Sequence, residues 1–121
     1  MNPKEIVERY NQYINERNLE KLAMLMSEEY VFIDTAGTRI EGKEVGKETW
    51  KKFFEQFPDY RNIFETIEER GDSVVVTGRS VCSAKQLNGP ALWKAKTKNG
   101  KILEWQVFED TANNRKLIDI N

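Results

Sequence analysis

Asp34 closes a run of strand-forming residues, Tyr30-Val31-Phe32-Ile33-Asp34, and alternation puts its carboxylate on the same face as Tyr30 and Phe32. If that face lines an apolar hollow, burial favours the protonated acid and raises its pKa. Such a carboxylate can take a proton from a carbon next to a carbonyl. The alternative is an aspartate that caps the turn at Ala36-Gly37. Tyr10 lies on an apolar helical stripe, where its hydroxyl needs a partner. Asp110 and Glu104 alternate with Phe108, Gln106 and Ile102 along one face of a later strand. That makes Asp110 a third candidate acid, or a strand-end residue bonded to the backbone of Thr111 or Ala112. It makes Glu104 either a second pocket acid or a rim residue. Arg79 sits in a valine-rich strand, where it pairs with a carboxylate or, if buried, anchors an anionic ligand. The aromatic side chains Trp50, Phe54, Phe32, Trp93, Trp105 and Phe108 supply apolar wall, and the indole N–H of Trp93 is also a donor.

The 121 residues contain no histidine and one cysteine, Cys82. Ser-His-Asp and Cys-His chemistry are therefore absent, and the usual ligands of a zinc site are lacking. Cys82 has no internal disulfide partner and no base to activate it, so it reads as a small buried apolar residue. Acid–base work falls to Asp, Glu, Tyr, Lys or water, and no cofactor is expected. Lys and Arg number 19 against 20 Asp and Glu, a net charge of −1 that gives no general pull toward nucleic acid or anionic lipid. No apolar run approaches the ~20 residues that span a membrane, and the start, Met1-Asn2-Pro3-Lys4, does not resemble a leader. The expected compartment is the cytoplasm, and the expected partner is a small apolar or carbonyl-bearing molecule.

The elements that must position these residues follow from periodicity. Ile6, Val7, Tyr10, Tyr13 and Ile14 recur at helical spacing behind Pro3 and predict a helix over 3–16. Leu19, Leu22, Ala23, Leu25 and Met26 predict a second, shorter helix, ended by Ser27 to Glu29. The strand at 30–35 follows, then a short strand at 39–41. Trp50, Phe53, Phe54 and Phe57 stripe a third helix that Pro58 stops. The remainder reads as a meander: strands over 60–69, 73–83, 90–98 and 101–110, and a short final strand at 117–120. Asn99-Gly100 marks a tight hairpin. On the strand at 90–98, Ala91, Trp93, Ala95 and Thr97 share one face, and Leu92, Lys94, Lys96 and Lys98 share the other. Three helices at one end and a strand meander after them predict one α+β domain over 1–121, a cone-shaped curved antiparallel sheet with the helices packed on one face.

This order resembles the nuclear transport factor 2-like superfamily, in particular its SnoaL-like and ketosteroid-isomerase-like branch. The stretches that carry the resemblance are Val7-Glu8-Arg9-Tyr10, Arg17-Asn18-Leu19-Glu20 and Tyr30-Val31-Phe32-Ile33-Asp34. Further on they are Phe57-Pro58-Asp59, Pro90-Ala91-Leu92-Trp93, Asn99-Gly100-Lys101-Ile102 and Trp105-Gln106-Val107-Phe108-Glu109-Asp110. Together they cover about Ile6 to Asp110. The resemblance implies Asp34 as general base, Tyr10 as an enolate-oxygen donor and a homodimer paired through the sheet. It implies that Asp110 matches the aldol base of SnoaL-like cyclases. The sequence departs from these relatives in three places. Ketosteroid isomerases carry a second, protonated Asp at the place that falls at or beside Trp93, and no acid lies within Leu92 to Lys98. The cyclases' nearby histidine is missing. Limonene-epoxide hydrolases resemble the Arg79 region but have an Asp where this chain has Val81. The fold hosts enzymes and non-enzymes alike, so a non-catalytic ligand-binding or association module is the second reading.

Overall fold

A computed structural model describes residues 1–120. The first helix, α1 (Pro3–Glu16), starts where expected: the Asn2 side chain accepts from the Glu5 N–H while the Glu5 carboxylate accepts from the Asn2 N–H. It stops at Arg17, whose φ of 54° is left-handed. α2 (Leu19–Met24) follows. Strand β1 (Met26–Ile33) starts four residues before the predicted strand, because an irregularity between Met26 and Val31 lets the chain join the sheet early. β2 (Arg39–Glu41) pairs back on β1, and α3 (Lys43–Gln56) then crosses the sheet.

The meander consists of β3 (Arg61–Arg70), β4 (Ser73–Val81), β5 (Gly89–Lys98) and β6 (Lys101–Glu109). A 3₁₀ turn at Lys85–Leu87 joins β4 to β5. Asn99 and Gly100 both have positive φ, as a two-residue hairpin of this type requires. The six strands form one curved, open sheet in the order β2-β1-β6-β5-β4-β3. All neighbours are antiparallel except β1 and β6, which run parallel and place Phe32 opposite Trp105. The predicted final strand at 117–120 does not form: Leu117 ends a helix, α4 (Ala112–Leu117), capped by the Thr111 hydroxyl on the Asn114 N–H, and a turn follows it.

The helices cover the inner face of the sheet, where Ile6, Val7, Tyr10 and Ile14 of α1 meet Val74, Val76, Trp93, Ala95, Ile102 and Trp105. The outer face carries a second, small cluster of Val75, Leu92, Phe108 and Ile118. A bulge between Lys96 and Thr97, with Leu103 as the extra residue on β6, shifts the alternation of that strand. Ile102 therefore packs inward with Trp105, not outward with Phe108 as simple alternation predicts. Among the described residues, no helix is long and apolar enough to cross a membrane.

Gly46 lets α3 approach β1. A Cβ there would lie 2.6 Å from the ring of the buried Tyr30. Gly46→Ala is expected to lower stability by about 1–3 kcal/mol through overpacking, read from the urea midpoint.

Candidate functional site

Between α3 and the inner sheet face lies a partly open cavity of about 400 Å³. Its helix-side wall is a run of edge-on aromatic pairs. Phe32 and Trp50 are 5.7 Å apart at 77°, Trp50 and Phe53 5.6 Å apart at 80°, and Phe53 and Tyr60 4.7 Å apart at 88°. The sheet-side wall is Ala91 and Trp93 of β5 with Trp105 and Val107 of β6. Asp34 and Glu109 belong to the lining near solvent, at the C-terminal ends of the parallel strands β1 and β6. Among the described residues, the lining holds no lysine or arginine.

Asp34 is half-buried, and its Oδ1 accepts from the N–H groups of Ala36 and Thr38, each at 2.9 Å. The turn after β1 thus fixes the carboxylate. Both bonds use Oδ1, and no hydrogen bond engages Oδ2. Asp34 caps the turn and lines the cavity at once, so the two readings of its sequence position are not exclusive.

Tyr10 is not part of the lining. It is fully buried, and its hydroxyl donates to the Tyr30 hydroxyl at 2.7 Å. Tyr30, also fully buried, accepts a second bond at 3.1 Å from the indole Nε1–H of Trp50. Burial holds Tyr10 well above the usual phenol range, with the neighbouring Tyr30 adding to it. Burial likewise pushes Tyr30 up to about 12, although both donors pull the other way. The O–H that the sequence offered as an enolate donor is spent on tying α1 to β1.

Two polar features appear, the first missed by sequence reasoning and the second foreseen only in the Trp93 N–H. Tyr60 and Ser80, both in the lining, have their hydroxyl oxygens 3.2 Å apart. Ser80 donates to Asn62 Oδ1 at 2.8 Å, and Asn62 Nδ2 donates onward to Asn11 Oδ1 at 3.2 Å. With the Ser80 proton committed, Tyr60 donates to Ser80 and its oxygen is left to accept. The second feature is the pair of indoles. Trp93 and Trp105 are each 1% exposed, and among the described residues neither Nε1–H has a hydrogen-bond acceptor. The sealed, unpartnered side-chain polar atoms are Arg17 Nε and Ser27 Oγ, so the indole N–H groups are not sealed. Both side chains line the cavity.

Residues 7–105 match the model of the SnoaL-like domain. The chain belongs to the SnoaL-like domain family. A candidate polyketide cyclase from Sinorhizobium meliloti superposes with a TM-score of 0.77 at 16% identity, covering 85% of this chain and 93% of that one. A candidate ketosteroid isomerase from Kribbella flavida gives 0.74 at 17%, covering 91% and 78%. An uncharacterised cystatin-fold protein from Novosphingobium aromaticivorans gives 0.78 at 14%, covering 90% and 99%. At these identities the likeness shows the fold. Among curated proteins, none matches the sequence.

In this SnoaL-like domain, Phe32, Trp50, Trp93 and Trp105 are lining residues, Phe108 borders the cavity from β6 while its side chain packs in the outer cluster, and four candidates besides Tyr10 lie elsewhere. Asp110 is held by Arg115, whose Nε donates at 2.6 Å and whose second terminal nitrogen donates at 2.8 Å. The Arg115 guanidinium keeps the Asp110 carboxyl below the usual carboxylate range, which suits an ion pair and not a base. Glu104 pairs across from Lys96 on the face opposite Trp105, because it alternates with Gln106 and Phe108 and that face is the outer one. Arg79 is exposed on β4, opposite Pro90. Phe54 backs Trp50 at 5.5 Å, behind the wall. Cys82 donates its S–H to Asp59 at 3.3 Å, and burial pushes the thiol up, away from thiolate chemistry. Among the described residues, no three His, Cys, Asp or Glu side chains gather as a metal site.

The Tyr30 hydroxyl satisfies two buried donors, so Tyr30→Phe is expected to lower stability by about 2–4 kcal/mol and Tyr10→Phe by only about 1 kcal/mol. Chemical denaturation of the two variants checks the order. Asp110→Asn is expected to destabilise the protein at neutral pH. Because folding lowers the pKa of Asp110, its contribution is complete above the unfolded value of about 3.8 and fades as pH falls through the folded value. The gap between variant and parent in thermal midpoint should therefore close in acid.

Proposed function

We propose that the cavity binds a small, mostly apolar carbonyl compound and that Asp34 removes a proton from the carbon beside the carbonyl. The observation that carries this reading is a carboxylate at an aromatic cavity with one oxygen anchored by two backbone amides and the other uncommitted. The anchored oxygen fixes orientation, and Oδ2 is left to take the proton. Trp93, in the lining and with no acceptor for its N–H among the described residues, takes the donor role that Tyr10 does not fill. The proton returned to a neighbouring carbon gives isomerisation, and attack of the enolate on a second carbonyl within the same molecule gives cyclisation. Neither outcome requires a cofactor.

The second reading is a ligand-binding module without turnover. It is favoured by the half-exposed setting of Asp34, which resembles an ordinary turn cap. Deuterium uptake at the α-carbon of 2-tetralone in D₂O separates the two. Asp34→Asn preserves Oδ1 as the acceptor for Ala36 and Thr38 while removing the base, so the fold is retained. The expected outcome is protein-dependent exchange that falls about 10²–10⁴-fold in Asp34→Asn. Exchange equal in the two proteins overturns the assignment of the base, and binding of 2-tetralone without exchange selects the module.

A further inference from the structure

We propose that Trp93 and Trp105 together form a two-donor seat for a single neutral carbonyl oxygen at the deep, sheet-side wall of the cavity. The inference rests on the cavity reading above and deepens it: it adds a second residue at the reacting oxygen and fixes the charge of the ligand.

Three observations carry it. First, both indoles are 99% buried by the complement of their 1% exposure, yet among the described residues neither Nε1–H has an acceptor. Because neither N–H is sealed away, each is free to donate to a ligand, and a matching acceptor is a natural occupant of the cavity that both side chains border. Trp50, the remaining tryptophan, shows the contrast, because its N–H is committed to Tyr30 at 3.1 Å. Second, the sheet brings the two together. Trp93 pairs with Val107, and Trp105 pairs with Ala95, so the tryptophans are diagonal neighbours on the inner face of adjacent strands. Diagonal positions lie within reach of aromatic side chains. A carbonyl oxygen has two lone pairs and accepts two such donors. Third, the charges select a neutral ligand. The lining holds carboxylates at Asp34 and Glu109 and no cationic side chain, so a carboxylate or phosphate would be repelled without compensation. Two neutral donors in an aromatic setting suit a ketone or aldehyde, whose oxygen gains negative charge only as the adjacent carbon loses its proton.

The seat also answers the departure at Trp93. Where the related isomerases present a protonated acid, this chain presents an indole, and Trp105 supplies the second donor from the neighbouring strand. An indole N–H donates without giving up its proton, so the seat stabilises the enolate while the proton remains with Asp34.

The test uses protein labelled with ¹⁵N at the tryptophan indoles and titrated with 2-tetralone, tetralin (its hydrocarbon counterpart) and 2-naphthoate. The three indole resonances are assigned by single Trp→Phe substitutions. The expected result is that 2-tetralone moves the Trp93 and Trp105 resonances downfield and leaves Trp50 nearly in place, while tetralin produces no downfield shift and 2-naphthoate binds more weakly than either. Trp93→Phe and Trp105→Phe keep the ring area and should each weaken 2-tetralone binding roughly three- to tenfold without weakening tetralin. Should either variant fold poorly, the shifts in the parent protein decide. Binding of 2-tetralone with Trp93 and Trp105 unmoved, or tightest binding by 2-naphthoate, overturns the seat and leaves the cavity as a ligand site. Absence of binding by all three overturns both readings.

Discussion

The Tyr30 hydroxyl is the point at which the inner architecture is held. A phenol oxygen buried without partners would oppose folding, and this one accepts from Tyr10 on α1 and from Trp50 on α3. The first and third helices are thereby referenced to one atom on β1, and Gly46 lets α3 come close enough for the Trp50 bond to form. The arrangement fixes what the cavity can contain. It uses the tyrosine that the family resemblance offered for catalysis, and it places the Trp50 ring at the wall with its polar edge turned away. Chemistry at this site must therefore draw on groups that the Tyr30 hub leaves uncommitted.

The hollow itself follows from packing large flat side chains on opposed surfaces. Trp93 and Trp105 stand on neighbouring strands and stack with Phe64 at 5.0 and 6.4 Å, while Phe32, Trp50, Phe53 and Tyr60 meet edge to face on the other side. Rings locked to one another in this way cannot collapse across the gap without losing those contacts. The asparagine-rich line from Ser80 through Asn62 to Asn11 adds a polar brace, in which Asn15 Oδ1 also accepts from the Asn62 N–H at 2.8 Å. The brace ties α1 to the start of β3 and keeps Tyr60 at the cavity edge. An aromatic hollow with anchored walls is a preorganised site, one that binds without first spending energy on closure.

Local signals in the sequence were sufficient for most of the fold. The helix start at Pro3, the Asn99-Gly100 turn and the alternation of Ala91, Trp93 and Ala95 each rest on short-range physics and each appear as read. The failures lie where one residue changes a count or a partner is distant. The bulge at Leu103 inverts the face of what precedes it on β6, which moves Ile102 inward while Glu104 stays on the outer face with Gln106 and Phe108, and no residue type marks it. The terminal segment reads as apolar alternation, but Thr111 caps a helix there and Asp110 binds Arg115 across one turn. Asp34 was legible as a residue of interest, whereas the division of its two oxygens between turn and cavity depends on the conformation of Thr35 to Thr38. Tyr60 and Ser80 sit twenty residues apart and meet only through strand pairing, so neither stood out.

The composition of the site argues for a particular division of labour in the proposed reaction. With no histidine in the chain and Tyr10 committed, the carboxylates left in the cavity lining are Asp34 and Glu109. Indole donors hold a developing charge without becoming acids themselves, and burial moves Tyr60 further from ionisation. In the proposed reaction Asp34 carries the proton that leaves carbon, and it returns from the same carboxylate or escapes to water at the open side, where Glu109 also stands. Return by one carrier favours transfer between carbons on the same face of the ligand, because a fixed carboxylate reaches only one side. The two amide bonds that hold Oδ1 restrict that reach further, so the stereochemistry of the reaction is set by the turn after β1.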